Sequence, residues 1–220
     1  MYRILKIEFK RAFFNRLFLI SVLLGSIIAV LQLTDRAIFW VNTTNLYPNE
    51  YPPRIFNSCI GLYPSMWSSI FYLIFPILAS LPFADSYLVD VKTGYIKNIY
   101  TRGKKIHYLV SKFLAVFLSG GTAILIPLLL NLFLVSLCVP AVIPTASTGF
   151  FPIFGFATGA AIYYTHPFIY IFLFFLLIFI TAGILACTAL LFSFFVRFKY
   201  VALLTPFLLF MAISYGSMLF

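Results

Sequence analysis

Five stretches of this chain are apolar without interruption for about 20 residues, the length a helix needs to cross the roughly 30 Å hydrocarbon core of a bilayer. They cover 17–33, 66–84, 113–139, 168–196 and 200–220, and none contains Asp, Glu, Lys or Arg. Strands of a membrane barrel would instead alternate apolar and polar residues over about ten positions. Of the 220 residues 63% are hydrophobic and 9% charged, against roughly 25% charged in soluble domains, so no soluble core could hide this much apolar surface. The expected fold is all-α: one polytopic transmembrane bundle over 1–220 with about five spans. The first run is followed by no small-residue cleavage motif, so it reads as an anchor with the N-terminus retained.

The basic residues orient the bundle, because loops rich in Lys and Arg stay on the cytoplasmic side during insertion. Arg3, Lys6, Lys10, Arg11 and Arg16 precede the first run; Lys92, Lys97, Arg102, Lys104, Lys105 and Lys112 lie between the second and third; Arg197 and Lys199 separate the fourth from the fifth. Only Arg36 and Arg54 fall elsewhere. A multi-pass cell-membrane protein with a cytoplasmic N-terminus is expected, with 85–112 inside and 34–65 and 140–167 outside. The net charge of +10 is then mostly topology plus attraction to anionic lipid headgroups. No groove-reading motif accompanies it, so nucleic acid is not an expected partner.

Two basic segments carry more pattern than a topology signal requires. In residues 1–16, Leu5, Phe9, Ala12 and Phe13 fall on one helical face with Arg3, Lys6 and Lys10 beside them, the arrangement of a helix lying in the membrane interface. Between Gly94 and Gly103, Tyr95 and Ile99 are four apart, as are Ile96 and Tyr100. A short helix there presents an aromatic and aliphatic patch, with Gly103 as its stop. Such a patch meets a soluble partner, the headgroups or its own bundle.

An amphipathic elbow before the first span, then an acidic residue, a glycine, a short helix, a basic turn and a lysine opening the third span, resembles the permease subunits of type-2 (exporter-like) ABC transporters. Asp90, Gly94, Tyr95–Arg102, Gly103 to Lys105 and Lys112 stand at the matching positions. The resemblance implies an ATP-driven exporter whose loop helix, through Tyr95, Ile96, Ile99, Tyr100 and Arg102, docks on a separate cytoplasmic ABC ATPase. It also implies a second permease chain, as homo- or heterodimer. ATP and magnesium would bind the partner, since this chain has no GxxxxGK[ST] and no cofactor of its own is expected. Members of that family have six spans where five are legible here, so a sixth is either absent from this sequence or merged with a neighbour.

No catalytic residue is expected. His107 and His166 lie near opposite faces and no clustered Cys or H-E-x-x-H pattern exists, so no metal site is expected either. Without ionisable groups inside the spans, proton coupling is disfavoured. Ser119, Thr122, Asn131 and Thr181 are the polar side chains able to line a conduit, or equally to serve as interhelical hydrogen-bond glue. Glycines and prolines within the runs, such as Gly120, Gly121, Pro127 and Gly183, are kink candidates. Cys59 and Cys138 both fall near the expected outer face, where a disulfide is one reading and two free thiols the other. The alternative to a transporter is a membrane assembly or immunity factor whose loop binds a soluble partner without nucleotide-driven transport.

Overall fold

The computed structural model describes residues 2–46, 55–62, 64–102, 105–141, 144, 159–196 and 198–216. Among them every regular element is helical and no strand occurs. Helix α1 spans Tyr2–Phe13 and α2 Arg16–Leu46, followed by a 3-10 turn at Ile55–Asn57. Then come α3 Met66–Ser80, α4 Ser86–Lys92, α5 Tyr95–Arg102, α6 Lys105–Cys138, α7 Ala160–Thr165, α8 Pro167–Phe192 and α9 Lys199–Gly216.

Three of these, Arg16–Asn42, Lys105–Cys138 and Pro167–Phe192, are long and apolar enough to cross a membrane. Their outward side chains suit lipid: Phe172 and Leu177 of α8 are 66% and 60% exposed. The remaining two apolar helices are shorter. The 15 residues of α3 rise only about 22 Å.

Helix ends depart from the apolar runs for physical reasons. No Pro or Gly lies between Gly25 and Pro48, so α2 continues to Leu46 although its apolar run stops at 33, and 34–46 is helix where a loop was expected. Hydropathy marks a change of solvent, whereas a helix ends where its hydrogen-bond ladder is interrupted. Likewise α6 begins at Lys105, ahead of the run at 113. Pro82 lies just beyond α3, which stops at Ser80 instead of reaching 84, as expected when a residue lacking N–H follows. By contrast α3, α6 and α9 run unbroken past Pro76, Pro127 and Pro206.

The chain divides into two compact units, residues 1–23, 73–124 and 178–220 in the first and 24–72 and 125–177 in the second. In the first, Ala12, Phe83, Ala115, Val116, Ala186 and Leu190 form a buried core against which Phe9, Phe13, Tyr87 and Phe113 pack. Small residues let these helices touch. A Cβ on Gly120 would sit 2.5 Å from the Ala186 Cβ and 2.7 Å from the Ala79 carbonyl oxygen, so Gly120 marks a close approach of α3, α6 and α8, not a break in α6. Ser21 donates to the Leu78 carbonyl at 2.7 Å and Ser80 to the Leu203 carbonyl at 3.2 Å, adding polar glue between helices.

The second unit buries an irregular segment. Ile55, Phe56, Ser58, Cys59, Ile60 and Leu62 are all buried, although the segment has only one short helical turn to satisfy its backbone. Side chains supply the bonds. Asn131 accepts from the Ile60 N–H at 3.0 Å and donates to the Gln32 side-chain oxygen at 2.9 Å and the Ala29 carbonyl at 3.1 Å. Gln32 in turn donates to the Ser58 carbonyl at 2.9 Å, and the Tyr163 hydroxyl to the Phe56 carbonyl at 3.2 Å. Buried non-helical backbone is tolerated at such a place because side chains bond the Ile60 N–H and the Phe56 and Ser58 carbonyls in place of water.

Cys59 and Cys138 are free thiols. Cys59 is buried and donates to the Ile55 carbonyl at 3.3 Å, and burial pushes its thiol up to about 12, whereas Cys138 is exposed. A maleimide added to the folded protein near neutral pH should therefore label Cys138 and leave Cys59 untouched until the protein is unfolded. Peptide mapping by mass spectrometry reads this directly, and a disulfide between the two would appear as the absence of both adducts.

Candidate functional site: a buried charge cluster beneath the basic loop

Helical spacing brings the charges together in pairs. On α1, Glu8 and Arg11 are three apart, and on α6, Tyr108 and Lys112 are four apart, so each pair shares a helix face. Asp90 comes from α4, and the three elements converge on it. Arg11 donates through Nη2 to Asp90 Oδ1 at 2.6 Å and through Nη1 to Glu8 Oε1 at 3.0 Å. The Tyr108 hydroxyl donates to Asp90 Oδ2 at 2.6 Å, and Lys112 Nζ bonds the same oxygen. Lys112 also donates to the Tyr108 oxygen at 3.0 Å and lies 3.4 Å from Glu8 Oε2.

Glu8, Asp90 and Tyr108 are fully buried and Lys112 is 1% exposed. Two carboxylates face two cations, so the cluster is neutral as a whole. That balance is what allows the charges to leave solvent, because an unpaired buried ion costs several kcal/mol. Burial alone raises the Asp90 carboxyl, but the hydrogen bond from Arg11, the Lys112 ammonium and the Tyr108 hydroxyl outweigh it and hold the group below its ordinary value. For Arg11 burial works against the charged form, and the Asp90 and Glu8 carboxylates reverse it, raising the guanidinium further. Asp85, at the N-terminal boundary of α4, behaves oppositely: burial raises its carboxyl against the pull of Lys199 and Lys112.

The short helix α5 is fastened to this cluster by an aromatic contact. The Arg11 guanidinium lies 5.0 Å from the Tyr95 ring centroid and 5.7 Å from that of Phe83, while the Lys112 ammonium lies 5.3 Å from the Phe83 ring. Cation–π contacts of this range are worth about 0.5–2 kcal/mol depending on desolvation. Gly94 makes the turn possible. Its φ of +71° joins α4 to α5 with nothing within 4 Å of a Cβ placed there, so the left-handed backbone and not crowding selects glycine.

No family model, curated protein or solved structure matches this chain.

Tyr95, Ile96 and Ile99 are half-buried on α5, whose Lys97 and Thr101 are exposed. The side chains of Tyr100 and Arg102, and the whole of Gly103 and Lys104, lie outside the described residues. Among the conduit candidates the one described hydrogen bond is local, from the Thr122 hydroxyl to the Ser119 carbonyl at 3.2 Å within α6. Ser119 is buried and donates to the Val116 carbonyl at 3.2 Å, and Thr122 and Thr181 are half-buried and donate to Leu118 at 2.7 Å and Ile178 at 2.9 Å within their own helices. Asn131 holds the buried 55–62 segment. Glu8 and Tyr108 entered no sequence-level site, yet both are central. Their signals were the i,i+3 pairing of Glu8 with Arg11 and the i,i+4 pairing of Tyr108 with Lys112.

Proposed function

We propose that this chain is the membrane subunit of an ATP-driven ABC exporter, a multi-pass cell-membrane protein with a cytoplasmic N-terminus. In this reading α3 and α9 complete five spans alongside the three long helices. A separate cytoplasmic ATPase, carrying ATP and magnesium, docks on α5, and a second permease chain forms the other wall of the path. One observation carries the reading: α5 is joined through Tyr95 and Arg11 to Asp90, and through Asp90 to Lys112 near the start of a long apolar helix. A docked partner that displaces α5 pulls on a charge cluster and not on a loose loop, so its movement reaches α1 and α6 together.

The test is co-purification with an ABC-type ATPase encoded beside the gene, followed by ATP hydrolysis in membranes. Tyr95→Ala with Ile99→Ala should abolish co-purification. Because Tyr95 also stacks on Arg11, Lys97→Glu serves as the second variant: its side chain is exposed, and reversing its charge should weaken docking severalfold while thermal stability stays within about 0.5 kcal/mol of wild type. Failure of the wild-type chain to bind any ATPase would remove the transporter reading and favour an assembly or immunity factor that uses the same loop.

A further inference from the structure

The apolar stripe of α1, Leu5, Phe9, Ala12 and Phe13, is turned in part toward the protein: Ala12 is buried and the other three are half-buried. Ala12 is buried in the core of the first unit, with Phe9 and Phe13 packed against it. The acid is covered: Glu8, the one carboxylate of α1, is fully buried against Arg11 and Lys112. What α1 displays outward is Lys6 and Lys10, four apart on one face, with Tyr2 77% and Ile7 49% exposed on the flanks of that arc. Phe14, 86% exposed, follows directly, and then the exposed Arg16 opens α2.

The corner between the two helices is fixed. Asn15 donates to the Pro82 carbonyl at 3.1 Å and accepts from the Leu17 N–H at 3.3 Å, so Phe14 is held outward where α2 begins its apolar course. A surface that joins protruding apolar side chains to cations, with its acid withdrawn, and that sits at the root of a membrane-crossing helix matches an anionic bilayer surface in both chemistry and place.

We infer that the outward face of α1, Lys6, Lys10 and Arg16 with Ile7 and Phe14, is a docking surface for anionic phospholipid headgroups. Glu8, two residues from each lysine, falls on the opposite side of α1 and is buried, so no carboxylate of α1 shares this face to offset the attraction. The inference requires only that α2 enters a bilayer and is independent of whether an ATPase docks on α5.

The experiment uses the full chain with Trp40 and Trp67 replaced by Phe and Phe14→Trp as the single fluorophore, in mixed phosphatidylcholine and phosphatidylglycerol vesicles. Bromine is carried on one lipid or the other at equal mole fraction. Brominated phosphatidylglycerol should quench more strongly, and Lys6→Gln and Lys10→Gln should each reduce its local enrichment by up to about fivefold, the weight of one basic residue at an anionic surface. Raising the salt concentration should do the same. As a measurement free of the tryptophan exchanges, native mass spectrometry of the wild-type chain should find phosphatidylglycerol retained over phosphatidylcholine, and less of it in the double lysine variant. Equal quenching by both lipids, or a preference unmoved by the lysine changes, overturns the inference. Quenching by neither lipid overturns it too, since the face would then be covered by protein.

Discussion

Asp90→Ala should be among the most destabilising single substitutions in the first unit, lowering stability in detergent by roughly 3–5 kcal/mol, the usual consequence of removing one partner from a buried charge pair. The carboxylate receives bonds from Arg11, Tyr108 and Lys112. Its removal leaves two cations facing Glu8 alone, with Lys112 buried and unable to reach water. Asp90→Asn retains an oxygen for Tyr108 and should lose less. Arg11→Gln should also lose less, because the Arg11 side chain is one-third exposed and part of its charge is already screened by solvent. The informative variant is Asp90→Leu with Lys112→Met. It leaves Glu8 and Arg11 as a neutral pair at 3.0 Å and should recover much of the loss, since an apolar exchange for a buried pair is often close to neutral. If the double variant lost the sum of the two singles, the cluster would not be acting as a coupled unit.

The pH dependence follows from the same contacts. The folded-state value of Asp90 lies below its ordinary 3.8, so its contribution to stability is fully present above that ordinary value and is lost only as pH falls through the lower, folded one. Between pH 8 and pH 5 the carboxylate should therefore stay ionised and the cluster closed, with thermal midpoints of wild type and Asp90→Asn running parallel. A wild-type midpoint that converged on that of the variant within this window would show that Asp90 takes up a proton there.

How much of this was legible depended on whether the governing contact was local. Helix α5 was legible because Gly94 and Gly103 bracket two i,i+4 apolar pairs, all within ten residues. The membrane-crossing character of α2, α6 and α8 was legible from uninterrupted apolar runs, but their ends were not, since hydropathy falls at Gln32, Thr34 and Asp35 while the backbone continues helical to Leu46. Glu8 was obscured for a different reason. A lone acid in a basic amphipathic segment reads as solvated, and only Asp90 and Lys112, about 80 and 100 residues further on, give it a reason to be buried. The resemblance that pointed to Asp90 and Lys112 supplied positions without contacts; the bond between them is tertiary.

Asn131→Leu should cost about 2–6 kcal/mol, because it leaves the Ile60 N–H and the Gln32 oxygen buried with one partner fewer, at about 1–3 kcal/mol for each unsatisfied group. The Ala29 carbonyl lies within α2 and contributes less. Gln32→Leu removes the bond to Ser58 and one of those Asn131 makes, and the double variant should cost less than the two singles summed, since the bond between the two amides is counted in both. Cys59 reports the consequence locally. It is buried in the segment that Asn131 holds, so loosening the segment should make a thiol that is inert in the wild type reactive to maleimide, with Cys138 as the internal control. A conduit role for Asn131 would give a different pattern: a polar group facing a passage already has water as its partner, so exchanging it for leucine would alter passage of substrate while leaving stability and Cys59 protection unchanged. The amide of Asn131 is instead occupied on both sides by protein at 2.9–3.1 Å, which is why loss of protection at Cys59 is the expected result.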